Sequence, residues 1–363
     1  MKTIIFPLFV IAFLGLIIAG CSKNNNNSNP TPANTQATLE GQVLTDYAAN
    51  LVNPNYIDIQ AKAQIMLTAS NTFIATPTDA NLATFRTAWV NTRTAWESCE
   101  GFLFGPVEDF NYDPTMDDWP VNAVDVNALL SSSDSLNVND ITALPTTQKG
   151  FHAIEYIIFG PGATRKAADI TAREKVFLAS LTQSLYNTTT QLRNSWDPSQ
   201  ANNYTVQVTT AGNGSVTFPT RLKFFQTLVG SMADICNEVA NEKMQTPLAA
   251  QDSTLDESSY SHNSITDFTN NITGVLHAYL STYNGTSGHS LSELVKSKNA
   301  SLDITIQSQI NAAISSFKGI TETYEKAIYN QKSQIATTQT AIRTLKTTLD
   351  GQLTTFINTN IKD

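Results

Sequence analysis

Apolar residues return at spacings of three and four along most of this 363-residue chain, and that periodicity limits it to a helical architecture. The runs Ile57–Phe73, Asp79–Phe104, Thr171–Trp196, Pro219–Met244, Ile265–Thr282 and Leu302–Ile357 carry it, with Ala, Leu, Gln, Glu and Lys between the apolar positions. Punctuation agrees: Thr78-Asp79 opens one run, Asp169 precedes another, and Pro219 sits in the first turn of a third. Alternation of the kind strands show is confined to "NYTVQVTTAGNGSVTFP", where Gly212-Asn213-Gly214 has turn chemistry between two short runs. The expected fold is all-α with one β-hairpin excursion near residues 203–218. Thr321 to Ile357 is expected to supply the last long arms of a bundle, its Thr-rich apolar stripe being too thin for a dimerising coiled coil.

The first 20 residues, "MKTIIFPLFVIAFLGLIIAG", place one early lysine before a long apolar stretch and small residues, the order of a secretory signal peptide. Ile18-Ala19-Gly20-Cys21 resembles the bacterial lipobox, which implies lipidation at Cys21, and Ser22 in place of Asp implies sorting to the outer membrane, on its periplasmic or outer face. An acyl anchor holds a folded body at a membrane without a spanning helix. Residues 21–38, rich in Asn, Ser, Pro and Thr, cannot offset their ordering entropy by burial and are expected to form a flexible tether. The whole chain is 41% hydrophobic, enough for a normal core, and the residues beyond the tether divide into an N-terminal helical part (39–200), the excursion (201–218) and a C-terminal helical part (219–363). With 22 basic against 31 acidic residues and no basic stripe, nucleic acid is excluded as a partner. Beyond Cys21 only Cys99 and Cys236 remain, either paired or as two buried thiols, and neither has zinc-site spacing.

Chemistry concentrates in "KGFHAIEYIIFG", residues 149–160. His152 and Glu155 are three apart and share one helical face inside an apolar run, so an imidazole nitrogen and a carboxylate can converge on one cation. A core histidine satisfied by its neighbouring glutamate is the plainer alternative. Burial among Phe151, Ile154, Ile157 and Ile158 makes either arrangement costly without partners, and Gly150 leaves room for close backbone approach. A second stretch, "RTAWESCEGFLFGPVEDF", aligns Arg93, Glu97 and Glu100 at i, i+4 and i+7 on one stripe leading into an apolar helix end. There an arginine would hold one carboxylate and leave another for a ligand, unless the stripe is a solvated face.

"GFHAIEYIIFG" resembles the GxHxxE signature of the imelysin family, with Gly150, His152 and Glu155 at its fixed positions. The resemblance extends to Trp96–Pro106, to "DDWPVN" around Trp119-Pro120, and to "ESSYSHNSITDFTNNITGV", residues 257–275. It implies two helical domains, the second a four-helix bundle, and a site in the cleft between them. It also implies an envelope protein linked to iron uptake or regulation, with His152 and Glu155 as ligands of a metal ion or metal chelate. Glu97 and Glu100 join as candidate ligands from the stripe, and Arg93, Ser261 and Asn263 as candidate cleft residues. One branch of the family is classed as metallopeptidase, which makes hydrolysis the alternative reading. HxxE differs, however, from the two-histidine HExxH zinc helix, and this chain has four histidines: His152, His262, His277 and His289. One imidazole among carboxylates suits iron better than zinc. His262 is a further candidate if its segment folds over the cleft, whereas His277 and His289 read as helix-surface or loop residues.

Overall fold

Stripes of buried side chains, and not the hairpin, organise the chain. The computed structural model describes residues 35–362, so the expected leader, Cys21 and all but the end of the tether lie outside the described residues. Helix α1 (Thr35–Asp46) begins within the last tether residues and continues through a π-turn into α2 (Asn53–Ala75). On α2, Tyr56, Ile59, Ala63, Met66 and Phe73 fall on one face and are buried, each large side chain contributing about 1.5–3 kcal/mol by leaving water. Helix α3 (Asp79–Glu97) is capped by Thr78, whose side chain accepts from Asn81 N. It stops at Glu97, seven residues before the periodicity does, and a tight turn through Glu100–Phe102 follows. Helix α4 (Tyr112–Asp117) and helix α5 (Gly150–Phe159) flank a run of short helical segments, and α6 (Ala172–Trp196) starts from a Thr171/Glu174 capping box, two residues beyond Asp169. Helices α2, α3, α5 and α6 pack in a ring, with Trp89 edge-on to Phe151 and Phe159 inside it.

The expected hairpin is absent: among the described residues there is no strand, only an isolated bridge between Tyr283 and Thr286. Tyr204–Thr209 forms a short helix, α7, because Asn203 accepts from Val206 N and so caps it. Alternation would place Tyr204, Val206 and Val208 on one face. The structure instead buries Tyr204 and Val208, four apart, and leaves Val206 exposed. The return segment then pairs with a side chain in place of a strand: Gln207 Oε1 accepts from Val216 N at 3.0 Å, Thr217 N at 3.2 Å and Ser215 Oγ at 3.0 Å.

The C-terminal part builds a second ring from α8 (Arg221–Glu238), α9 (Ser264–Leu280), α10 (Ala300–Ser316) and α11 (Lys332–Thr348). Thr220, following Pro219, caps α8. The expected continuous arm after Leu302 is broken at Phe317–Thr323 and at Gln331. Both rings share one contiguous core within the compact unit Gln36–Asp363. No described helix is long and apolar enough to cross a membrane.

Two close backbone approaches fix how the parts meet. A Cβ built on Gly101 would lie 2.5 Å from Gly274 C, so the turn that follows α3 and the middle of α9 touch backbone to backbone. Gly150, with φ +72°, sits where a Cβ would meet the Met116 carbonyl oxygen at 2.2 Å. That contact seats the start of α5 on the end of α4, one residue from Asp117. Replacing Gly150 with Ala should therefore cost at least about 3 kcal/mol in chemical denaturation, from clash and left-handed strain together. A loss under 1 kcal/mol would show that the contact does not constrain the two helices.

Candidate functional site

At the junction of the rings a guanidinium is buried among carboxylates from four segments. Arg93, 0% exposed, reaches Glu97 Oε1 at 2.6 Å on its own helix, Glu257 Oε1 at 2.7 Å, Asp267 Oδ2 at 3.3 Å, and Asp117. The positions of these groups follow from helical geometry: Arg93, Glu97 and Glu100 run along one stripe, and Asp267, Asn271 and Gly274 line the α9 face that meets it. Asn271 Nδ2 donates to Glu97 Oε2 at 2.5 Å and Glu100 Oε2 at 3.0 Å. Lys243, from the π-turn that follows α8, adds a second buried cation. Its Nζ lies 3.0 Å from Glu100 and from Glu257, 3.8 Å from Glu97, and 5.1 Å from the centre of the Trp119 ring.

His152 is 1% exposed and stands at the edge of this cluster. Its Nδ1 lies 2.9 Å from Glu155 Oε2, while Glu155 Oε1 accepts from Ser261 N at 2.8 Å and Ser261 Oγ at 2.7 Å. With Nδ1 turned to the Glu155 carboxylate, which also accepts twice from Ser261, Nε2 is the ring nitrogen left facing Asp117. Nε2 is buried, makes no hydrogen bond, and faces Asp117 Oδ1 at 3.1 Å. Trp96 Nε1 donates to the other Asp117 oxygen at 2.6 Å. Glu257 Oε2 and Asp256 Oδ1 are buried nearby without hydrogen-bond partners.

Ligand atoms of Asp117, His152 and Glu257 lie within 4.8 Å of one another, as do those of Glu97, Glu100 and Asp117. The sequence candidates thus divide. Glu97 and Glu100 come together with Asp117, and His152 comes together with Asp117 and Glu257. Glu155 is turned toward His152 and Ser261, where it orients the imidazole, the usual role of a carboxylate behind a metal-binding histidine. Asn263 donates to Asp267 at 2.6 Å and so steadies a partner of Arg93. His262 contacts Glu325 at 3.0 Å and does not join the cluster. His289 is exposed beside Glu293, and half-buried His277 faces Tyr283. Cys99 and Cys236 are free and buried, and burial raises both thiols. Sequence reasoning did not name Asp117, Lys243, Glu257, Asp267 or Asn271. Asp117, Glu257, Asp267 and Asn271 lie in the stretches that carried the family resemblance, and Asp267 and Asn271 also stand four apart among Phe268, Ile272 and Val275 on an otherwise apolar face.

Charge is unbalanced here. Besides half-buried Glu238, five buried carboxylates (Glu97, Glu100, Asp117, Glu257, Asp267) contact two permanent cations (Arg93, Lys243), five minus two leaving three uncompensated buried charges if all ionise. Protons absorb part of the excess. Burial lifts Glu97 to about 7 against the pull of Arg93 and Lys243, and burial followed by the neighbouring Glu97 drives Glu100 well above its ordinary range. Burial also opposes ionisation of Glu257, yet Lys243, Arg93 and His152 outweigh it and hold that carboxyl low.

A family model described as Imelysin, peptidase M75, matches residues 52–352. The chain belongs to the imelysin family. Iron-regulated protein A of Synechococcus elongatus is 29% identical over 328 residues, 88% of this chain and 87% of that protein. Two crystal structures share the imelysin fold. A candidate iron-regulated protein A precursor from Parabacteroides distasonis ATCC 8503 matches with TM-score 0.79 at 23% identity, covering 92% of this chain and 97% of its own. An imelysin-like protein from Psychrobacter arcticum 273-4 matches with TM-score 0.72 at 14% identity, over 89% and 96%.

Two expectations follow for this imelysin-family site. Arg93→Leu leaves the facing carboxylates unpaired in a dry interior and should destabilise by about 3–5 kcal/mol or prevent folding. Denaturation curves indistinguishable from wild type would contradict the central place of that side chain. Asp113, near the cluster, is lifted to about 6 by burial and then by Glu238. Between the ordinary carboxylate range and pH 6 the folded chain keeps a proton that the unfolded chain has lost, so this residue costs stability as pH rises through that window. Asp113→Asn should accordingly gain on wild type as pH rises from 4 to 7, by about 1–2 kcal/mol after allowance for its partial exposure. Melts recorded at four pH values with a constant difference would refute this.

Proposed function

We propose that this protein binds a metal cation between Asp117, His152 and Glu257, and that it does so in iron uptake or iron regulation at the cell envelope. The observation that carries the reading is His152 Nε2: a buried ring nitrogen, held in place by Glu155 through Nδ1, without a hydrogen bond and 3.1 Å from a carboxylate. Two acceptors at that separation repel unless a proton or a metal ion lies between them. The adjoining void, lined by His152, Glu155, Asp256 and Glu257, measures about 10 Å³, space on the scale of one ion or one water. One imidazole among carboxylates suits ferrous iron or manganese better than a thiolate-rich zinc site, and both thiols lie outside the cluster. The iron link draws on the names of its relatives, iron-regulated protein A among them. Tethering through Cys21 rests on the lipobox-like sequence. Hydrolysis is the less favoured reading, because a histidine 1% exposed beside so small a void gives a polypeptide no access.

Elemental analysis and calorimetry of purified protein with Fe²⁺, Mn²⁺ and Zn²⁺ test this. Wild type should take up one ion per chain, His152→Ala and Glu257→Gln none, and Glu155→Gln should bind about 10–100-fold more weakly. Free metal at one hundred times Kd should raise stability by about 2.7 kcal/mol, reversed by a chelator. A wild type that binds no metal, or variants that match it, would sink the reading. Chelator-sensitive cleavage of insulin B chain, lost in His152→Ala, would restore the peptidase alternative.

A further inference from the structure

A cavity of about 360 Å³ opens beside the buried cluster, and every charged residue in its lining is acidic: Glu100, Glu108, Asp113, Asp117, Asp234 and Glu238. Two of these, Glu100 and Asp117, form its inner wall and also belong to the group whose ligand atoms, with Glu97, lie within 4.8 Å of one another. Glu100 is 7% exposed, and both of its hydrogen bonds, from Lys243 and Asn271, fall on Oε2. Its Oε1 accepts none, so one carboxylate oxygen is left for the cavity that Glu100 lines. Trp119 closes one side, with the Lys243 ammonium over its ring.

We propose that this cavity is an antechamber that admits a free, hydrated cation and turns away anionic metal chelates, with Glu100 receiving the ion before it passes to Asp117 and His152. The proposal rests on the cation-binding reading above and specifies the form in which the ion arrives. A cation with six waters occupies about 180 Å³ at about 30 Å³ per water, so it fits with its shell intact. An acidic lining around a low-dielectric cavity raises the local concentration of cations and repels a polycarboxylate complex by the same field. Glu97, Glu100 and Asp117 offer oxygen ligands to replace the shed waters, and Asp117 is common to both ligand groups, so the ion changes partners without leaving carboxylate contact. Lys243 spans Glu100 and Glu257, and its ammonium neutralises the inner groups until the ion displaces it.

The test compares association rates by stopped flow, mixing metal-free protein anaerobically with Fe²⁺ and reading the iron left for a colorimetric ferrous chelator. Glu108 and Asp234 are exposed on the rim, and neither side chain contacts the buried cluster. The double variant Glu108→Gln/Asp234→Asn should load about fivefold more slowly at low salt, with a flatter salt dependence, and still reach one ion per chain. Iron presented to wild type as ferric citrate, with reductant to exclude an oxidation-state effect, should load at least tenfold more slowly than free Fe²⁺, and Glu108→Lys/Asp234→Lys should narrow that difference. An unchanged rate with full capacity overturns the antechamber alone and leaves the binding site standing. Equal loading from citrate overturns the selection of free ions, and a wild type that takes up no iron overturns both readings.

Discussion

Arg93 cannot shed its charge, and a guanidinium with no access to water must be met by anions wherever it lies. Here they come from its own helix, from the end of α4, from the turn carrying Glu257 and from α9. The two helical rings are thereby joined at a polar centre inside an otherwise apolar core. Once Arg93 is paired, Asp117 is fixed, and Asp117 in turn faces His152 and receives Trp96. Lys243 plays the corresponding part for Glu100 and Glu257. The centre is a network in which each carboxylate answers to more than one neighbour, so its members should behave non-additively when replaced.

Such a centre contributes little net stability. Desolvating seven ionic groups offsets much of their mutual attraction, and apolar packing holds the rings more cheaply. On the proposed cation-binding function, an arrangement with more carboxylates than cations prepares the centre for a further positive charge. Burial keeps Glu97 and Glu100 above the ordinary carboxylate range and so tempers that surplus.

Much of this was legible in the residues. Periodicity located several long helices to within a few positions, because each buries a stripe of large side chains, but it overran α3 by seven residues and missed the breaks after Ser316 and at Gln331. The Arg93–Glu97–Glu100 stripe and the His152–Glu155 pair were visible because helical spacing alone decides which residues share a face. The hairpin failed because alternation over five residues is also compatible with one turn of helix, and Asn203 with Gln207 decided between them through side-chain bonds that no periodicity reports. Asp117 and Glu257 were hidden for a different reason. They sit on a short helix and a turn, where spacing carries no facial information, and they reach the site only through contacts between distant segments such as Gly150 against Met116.

The indole of Trp96 ends on the same carboxylate that faces His152. A buried fluorophore whose only hydrogen bond is to the shared anion of the site senses any change in that anion's charge or position. The centre therefore carries its own optical reporter, and what happens at Asp117 can be followed in the unlabelled protein by light alone.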